Sequence, residues 1–450
     1  MTRNLSKILN PKTIAVIGAT SRPHSVGFGI CKNLLQGKSK RKIFFINPYR
    51  KKVLKRKTYS SIVLIKDSID LAIVAVPANI VSKVIQECCE KKVGGILVIS
   101  AGFAEIGKNG KLLQEKITKQ VKLANIPLIG PNCLGIIKPF IDLNASFVPE
   151  MPKKGKIGFI SQSGALINSV IDKSLLENYG FSTMISYGNE ADLNLNDFLE
   201  ELENDKNTKV ICLYLEGVKY GREFLNIAKR ISKVKPIIAI KAGRQNKAKQ
   251  SIASHTGVLA GDYQVFKAVF KQSGIIEADS LEDLLDVAKA LAWQPKCKNG
   301  IGVITNGGGA GVLMADFCEG LDIRLSGLQA KTIKRLKDSK ITPPSCSFLN
   351  PLDIVGDALS DRYEVAIKAL LEQENIFGLV VMQTTQIMTN SKKNAEVVIK
   401  SQKRWPKKPI ITCFMGGKFT KPGIDLLEKN KIPNYSDPKR AAIAMKALLR

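Results

Sequence analysis

The sequence predicts an α/β protein of three domains, each built on a mainly parallel sheet. A β-rich apolar run, a glycine turn and an amphipathic helical stretch follow one another repeatedly along the chain, which is the alternation that parallel α/β domains produce. Three of these units stand out as openings: TIAVIGATSRPHSVG (13–27), KIGFISQSGAL (156–166) and GIGVITNGGGAG (300–311). With 450 residues, the chain has length for two to four domains that each bury a core without disulfides or metals.

The first domain is expected over 1–135. Strands read at 13–17, 43–46, 70–76 and 94–99, helical patterns lie between them, and the module closes on PLIGPNCLG (127–135). That is a Rossmann-like nucleotide domain. MPKKG (151–155) reads as a linker and opens a second domain over 151–293, with strands near 156–160, 181–187, 208–215 and 236–241. QPKCKNG (294–300) reads as the next linker. The third domain, 300–450, repeats the pattern with strands near 301–305, 377–382 and 409–413.

Lys plus Arg outnumber Asp plus Glu by 69 to 39, a formal +30. The basic residues are spread through every module, as in KSKRK (38–42) and KKVLKRK (51–57), without an aromatic-interleaved basic motif. A solvated surface therefore explains them better than a nucleic-acid interface. No stretch has the apolar length of a membrane span or of a signal peptide's hydrophobic region. The nine cysteines show no CxxC and no metal-ligand spacing, so a reducing, cytoplasmic setting without a metal site is expected.

The first glycine turn, Gly18 to Gly27, departs from GxGxxG, and the second strand ends in Asn47-Pro48 where a nicotinamide dinucleotide site would place an acid. The turn keeps the strand-to-helix geometry that attracts an anion, without the marks of NAD. Gly102 to Lys108 has nearly the spacing GxxxxGK of a phosphate loop, but Asn109 follows where a magnesium-binding hydroxyl should stand, and we treat it as a decoy. The chain holds two histidines. His24 sits in the first turn and reads as a surface residue. His255 lies in Ser254-His255-Thr256-Gly257, within a long polar connection from Ala242 to Gly261, and connections of that length in compact domains are usually either functional or disordered. A nucleophilic histidine needs a group to orient its ring and anion-receptive helix ends. Glu216 closes the strand pattern VICLYLEG (210–217), while Gln162-Ser163-Gly164 and Gly307-Gly308-Gly309 each open a helix after a strand.

In order along the chain stand VIGATSRPHSVG, INP, VPA, ISAGFAEIG, GPNCLG, SQSGAL, SYGNEADL, YLEG, SHTGVLAG and TNGGGAG. This ordered set resembles the ADP-forming acetyl-CoA synthetases, relatives of succinyl-CoA synthetase, over essentially the whole chain. The resemblance implies a Rossmann-like CoA-binding domain followed by two flavodoxin-like, succinyl-CoA synthetase-like domains. It carries CoA contacts onto Gly18, Ser21, Arg22, Pro77, Ser100, Ala101, Gly102 and Phe103, with Asn132 in GPN presenting the thiol and acyl group. It also implies that His255 is phosphorylated, that Glu216 orients it, and that Gln162, Ser163 and Gly164 with Gly308, Gly309, Ala310 and Gly311 cradle the phosphoryl group. The implied reaction turns acyl-CoA, phosphate and ADP into acid, CoA and ATP. ADP, ATP and Mg2+ are then expected mainly on a separate ATP-grasp β subunit in an α2β2 assembly, since the three domains account for all 450 residues. The competing reading is a catalytically degenerate, CoA-binding regulatory protein; the presence of His255 and Glu216 argues against it.

Overall fold

In a computed structural model that describes residues 5–38, 40–245 and 262–449, the expected alternation of strands and helices is found throughout. The chain forms two compact units, one up to Glu277 and one from Ala278 onward.

The first unit carries two sheets. β1 (Thr13–Ile17), β2 (Lys42–Ile46), β3 (Lys52–Val53), β4 (Arg56–Tyr59), β5 (Leu71–Val74), β6 (Ile96–Val98) and β7 (Leu128–Ile129) make the first, in the order β3-β4-β2-β1-β5-β6-β7. Every neighbouring pair except β3–β4 is parallel. The sequence dictates this, because LAIV of β5 and ILV of β6 are apolar and fully buried, as strands covered on both faces must be. From β1 the chain runs outward to β2 and β4 and then returns to β5 on the other side. The strand order therefore reverses between β1 and β5, where a doubly wound sheet opens its crevice at the carboxyl ends. Gly18 follows β1 with φ +93°, and a Cβ there would stand 2.1 Å from the Ala75 carbonyl oxygen, so only glycine allows the two strand ends to close up.

β8 (Gly135–Lys138), β9 (Leu143–Ser146), β10 (Lys154–Ser161), β11 (Phe181–Ser186), β12 (Val210–Leu215), β13 (Ile237–Lys241) and β14 (Ile276–Glu277) make the second sheet, ordered β14-β13-β12-β10-β11-β8-β9. β10 to β14 pair in parallel, and β8 runs antiparallel to both β11 and β9. The hairpin of β8 and β9 has no counterpart among the strands expected from the sequence. Its two strands are four residues each, too short for periodicity to separate them from a loop.

The second unit is built on β15 (Ile301–Thr305), β16 (Leu352–Asp353), β17 (Gly378–Gln383) and β18 (Ile410–Phe414), all parallel in the order β16-β15-β17-β18. A parallel bridge from Thr412 to Asn434 supplies a rudimentary fifth position. The second and third sheets thus share one winding, with the opening strand between the second and the third. The helix Leu281–Trp293 packs within this second unit, against the helix Pro438–Leu448. Its buried Asp286 accepts from Arg440 Nε at 2.6 Å and Nη2 at 2.8 Å, and its buried Lys289 lies 3.4 Å from Glu428. A buried charge must be paired, and both partners lie in the C-terminal part of the chain. QPKCKNG consequently falls inside this unit and not at its edge.

Candidate functional site

The crevice of the first unit opens into a cavity of about 590 Å3. Pro77, Ser100, Ala101 and Asn132 line it from the first sheet, and Gln162, Ser163 and Gly164 line it from the turn after β10. Residues singled out in two separate motifs therefore face one space. The remaining wall is largely apolar, with Val26, Ile99, Leu134 and Phe147, and carries the amides of Asn168 and Asn189. Ser100 Oγ accepts from the Val76 amide at 3.1 Å and donates to the Val76 carbonyl at 2.5 Å, which locks the loop after β6 onto the end of β5. The Asn132 amide donates to the Ser100 carbonyl at 2.9 Å, so the GPN turn is fixed to the same loop.

Other residues expected at this site lie off the wall. Gly18 acts beneath it as the close-approach glycine. Ser21 and Arg22 are exposed on the turn that leads into the helix Val26–Gln36; Ser21 Oγ accepts from the Leu54 amide at 2.9 Å. Gly102 makes a positive-φ turn at +103°. Phe103 is fully buried in the core of the first sheet, so its side chain supports the loop from inside and does not line the cavity. Asn47 donates to the Ala19 carbonyl at 2.8 Å, using its amide to brace the glycine turn where an acid would have bound ribose. In the GFAEIGK stretch the amides of Gly102 and Phe103 donate to Glu105 Oε1 at 2.6 and 3.1 Å, so the groups a phosphate would need there are already taken.

The turn after β10 leaves the first-turn amides of the helix that Ser163 precedes, Gly164–Leu176, without a side-chain cap. Such amides, with the helix dipole, favour negative charge. Ser161 Oγ donates to the Ser163 carbonyl at 2.8 Å and accepts from the Ser163 amide at 3.0 Å, which sets the turn. Gln162 reaches sideways: its Oε1 accepts from the amides of Glu216 at 2.5 Å and Gly217 at 3.0 Å. Glu216 is thereby planted at the carboxyl end of β12, 5% exposed. Lys241, 1% exposed at the end of β13, donates from Nζ to the Glu216 carbonyl oxygen at 2.9 Å and stacks 4.7 Å over the Phe266 ring. Burial pushes the Tyr214 hydroxyl up to about 12, and the Glu216 carboxylate adds to the shift. Burial also raises Glu190 to about 7, against the pull of the Leu195 amide and of Lys219. His255 lies outside the described residues, in the segment between β13 and Asp262.

In the second unit, Gly307 precedes the helix Gly308–Gly320, again without a side-chain cap. Thr305 Oγ1 donates to the Gly307 carbonyl at 3.0 Å and accepts from its amide at 3.1 Å. A Cβ on Gly309 would meet nothing within 4 Å, one on Gly308 would stand 3.0 Å from Asp353 Oδ2, and one on Gly311 would stand 3.0 Å from Thr305 Cγ2; Ala310 is buried beside them. Among the described residues, no cluster of three or more metal-ligand side chains occurs and no helix is long and apolar enough to cross a membrane.

Residues 12–139 match the CoA binding domain family, 154–291 the succinyl-CoA ligase like flavodoxin domain and 301–447 the Ligase-CoA domain. The alpha subunit of acetate–CoA ligase [ADP-forming] II from Pyrococcus furiosus is 38% identical, with 99% of this chain and 97% of that subunit aligned. The chain belongs to the ADP-forming acetate–CoA ligase family. Another member, acetate–CoA ligase [ADP-forming] I of Archaeoglobus fulgidus, is 39% identical across 99% of this chain. The chain spans 63% of that relative's length. The fold is that of the dinucleotide forming acetyl-coenzyme A synthetase 1 of Ca. Korarchaeum cryptofilum, solved with phosphate and ADP: TM-score 0.93 at 37% identity, covering 99% of this chain and 96% of that one. Three residues that join these loops, Asn189, Glu105 and Lys241, were not candidates in the sequence. Asn189 stood inside SYGNEADL, Glu105 inside the decoy loop and Lys241 at a strand end; the only local signal was a polar residue at the carboxyl edge of a parallel sheet.

Proposed function

We propose that this chain is the CoA-handling subunit of an ADP-forming acyl-CoA synthetase. The observation that carries the reading is the shared cavity, where the loops after β5 and β6 and the GPN turn meet the uncapped helix start at Gly164. A phosphate held on that helix end would attack the thioester carbonyl; the C–S bond breaks, CoA leaves as thiolate and takes up a proton, and an acyl phosphate forms. A ring nitrogen of His255 would then attack phosphorus, breaking the bond to the acyl oxygen and releasing the carboxylate. Glu216 orients the ring and offsets its positive charge. The two uncapped helix starts, at Gly164 and at Gly308 to Gly311, each offer an anion about 0.3–2 kcal/mol. In this reading Gly18, Ser21, Arg22 and Gly102 shape the path of the nucleotide end of CoA.

The relatives from Pyrococcus furiosus are named as alpha subunits, which supports a partner subunit in the assembly. We assign ADP, ATP and Mg2+ to an ATP-grasp β subunit, in an α2β2 arrangement, with a small-molecule acyl substrate. All nine cysteines are free thiols, which suits a reducing cytoplasm.

Incubation of the chain with acetyl-CoA and radiolabelled phosphate should place an acid-labile label on His255 and release CoA stoichiometrically, with sustained ATP formation only after the partner subunit is added. His255→Ala should carry no label. A label that survives in that variant, or maps to His24, would overturn the mechanism.

A further inference from the structure

Three loops converge on the cavity wall, and one carboxylate touches two of them. Glu105 Oε1 accepts from the amides of Gly102 and Phe103 at 2.6 and 3.1 Å, holding the loop that presents Ser100 and Ala101. Its Oε2 accepts from Asn189 Nδ2 at 2.5 Å, across 84 residues, on the loop after β11. Asn189 in turn accepts through Oδ1 from Asn132 Nδ2 at 3.2 Å and donates to Gln114 Oε1 at 3.0 Å. Its amide also donates to the Pro131 carbonyl at 2.9 Å. Asn132 and Asn189 both line the cavity. Burial alone would raise the Glu105 carboxyl pKa, but the hydrogen bonds from Asn189, Gly102 and Phe103 outweigh it and hold the group below its ordinary range. It is a carboxylate, and charge-assisted bonds of this kind are the strong ones.

We propose that Glu105 is the positioning residue of the CoA site: it fixes the Ser100–Phe103 loop and ties it, through Asn189, to the sheet that carries Glu216. Glu105 does not face the cavity and is not catalytic. It acts by setting the positions of Ser100, Ala101, Asn132 and Asn189 before the ligand arrives, so that CoA does not have to order three loops on binding. The inference rests on the reading that CoA occupies this cavity.

The Glu105–Asn189 pair allows a donor–acceptor exchange. Glu105→Gln turns an NH2 group toward the Asn189 NH2 group, and Asn189→Asp sets a carboxylate against a carboxylate. The double variant restores one donor facing one acceptor, and the Asp oxygen remaining at position 189 still accepts from Asn132; the donation to Gln114 Oε1 is lost, but that oxygen keeps the Ala104 amide at 3.4 Å. CoA titrated calorimetrically into the full chain should bind about tenfold more weakly to each single variant, the loss expected when a charge-assisted hydrogen bond is removed. The double variant should return to within about threefold of wild type, because the two changes are coupled. Melting temperatures taken alongside separate this from general destabilisation. Where Glu105→Gln alone melts below the assay temperature, Asn189→Asp against the double variant reads the same bond. Equal affinity in all four chains, or a double variant as weak as the product of the singles, overturns the inference. Failure of the wild-type chain to bind CoA overturns the reading beneath it as well.

Discussion

The turn after β10 and the turn after β15 are the same device made twice. Ser161 and Thr305 each clasp the residue two positions on through a paired amide and carbonyl. Gln162 and Asn306 each send a side-chain oxygen to the neighbouring strand end, to the Glu216 amide in one case and the Thr384 amide at 2.7 Å in the other. The strand registers agree, since Ser161 pairs with Tyr214 and Ser186, and Thr305 falls opposite Met382 and pairs with Asp353. Glu216 and Thr384 are therefore equivalent positions, as are Glu190 and Asp357. Both helix starts leave their first-turn amides without a side-chain cap, but the neighbouring strand end carries the buried Glu216 in the first case and Thr384 in the second. The uncapped turn is the shared backbone geometry, and the carboxylate is what one copy adds.

The largest effect should come from removing that addition. Glu216→Gln should slow labelling of His255 about 100-fold, while CoA affinity stays near wild type; Thr384→Val should slow it no more than about threefold, having lost only the two hydrogen bonds of its hydroxyl, to Asn306 Oδ1 and from Gln386 Nε2. Rapid-quench labelling measures both, and equal losses would break the comparison.

The next effect is on stability, where the equivalent acids have opposite signs. Burial raises Glu190 from 4.5 to about 7, so the folded chain holds its proton more tightly than the unfolded one. Its contribution is complete below about pH 4.5 and is lost as pH rises to about 7, a change of roughly 3 kcal/mol. Glu190→Gln should recover about that amount at pH 8 and flatten the pH dependence in urea unfolding. Asp357 is lowered by its hydrogen bond with Arg362, so Asp357→Asn should matter only above the acid range in which this carboxyl titrates. A Glu190→Gln chain no more stable at pH 8 would remove the contrast.

The smallest effect concerns the helix starts themselves. Gly309→Ala meets open space and should stabilise the chain by about 0.5 kcal/mol, as helix glycines replaced without strain do. Gly164→Ala places its Cβ 3.1 Å from Leu134 Cβ and 3.2 Å from the Leu134 nitrogen, and should lose that gain. Thermal melts that rank the two variants the other way would show that the second turn is the more tightly packed.

Much of this comparison was legible before the fold was known. Strand, glycine turn and helix are local patterns, so KIGFISQSGAL and GIGVITNGGGAG announced both turns, and Glu216 was visible as an acid closing an apolar strand. What joins distant segments was hidden. Gln162 lines the cavity, and nothing local shows that its Oε1 also holds the amides of Glu216 and Gly217, 54 and 55 residues away. The family resemblance set Phe103 against CoA with the rest of its loop, but its side chain is fully buried and fills the core of the first sheet. Asp286 and Lys289 find their partners far along the chain, and no window of sequence contains both halves of those pairs.

The cavity wall has one further property, in what it omits. Thioesters and acyl phosphates acylate free amines, and the chain is rich in lysine. Among the described residues, none that lines the cavity is a lysine, and Lys241, at the end of β13, has its ammonium engaged by the carbonyls of Glu216 and Ala242. The one thiol on the wall, Cys133, donates to the Val98 carbonyl at 3.3 Å, and burial raises its pKa so that it stays protonated. On the proposed reaction, the thioester and the acyl phosphate would meet a wall whose described side chains their own reactivity does not corrode.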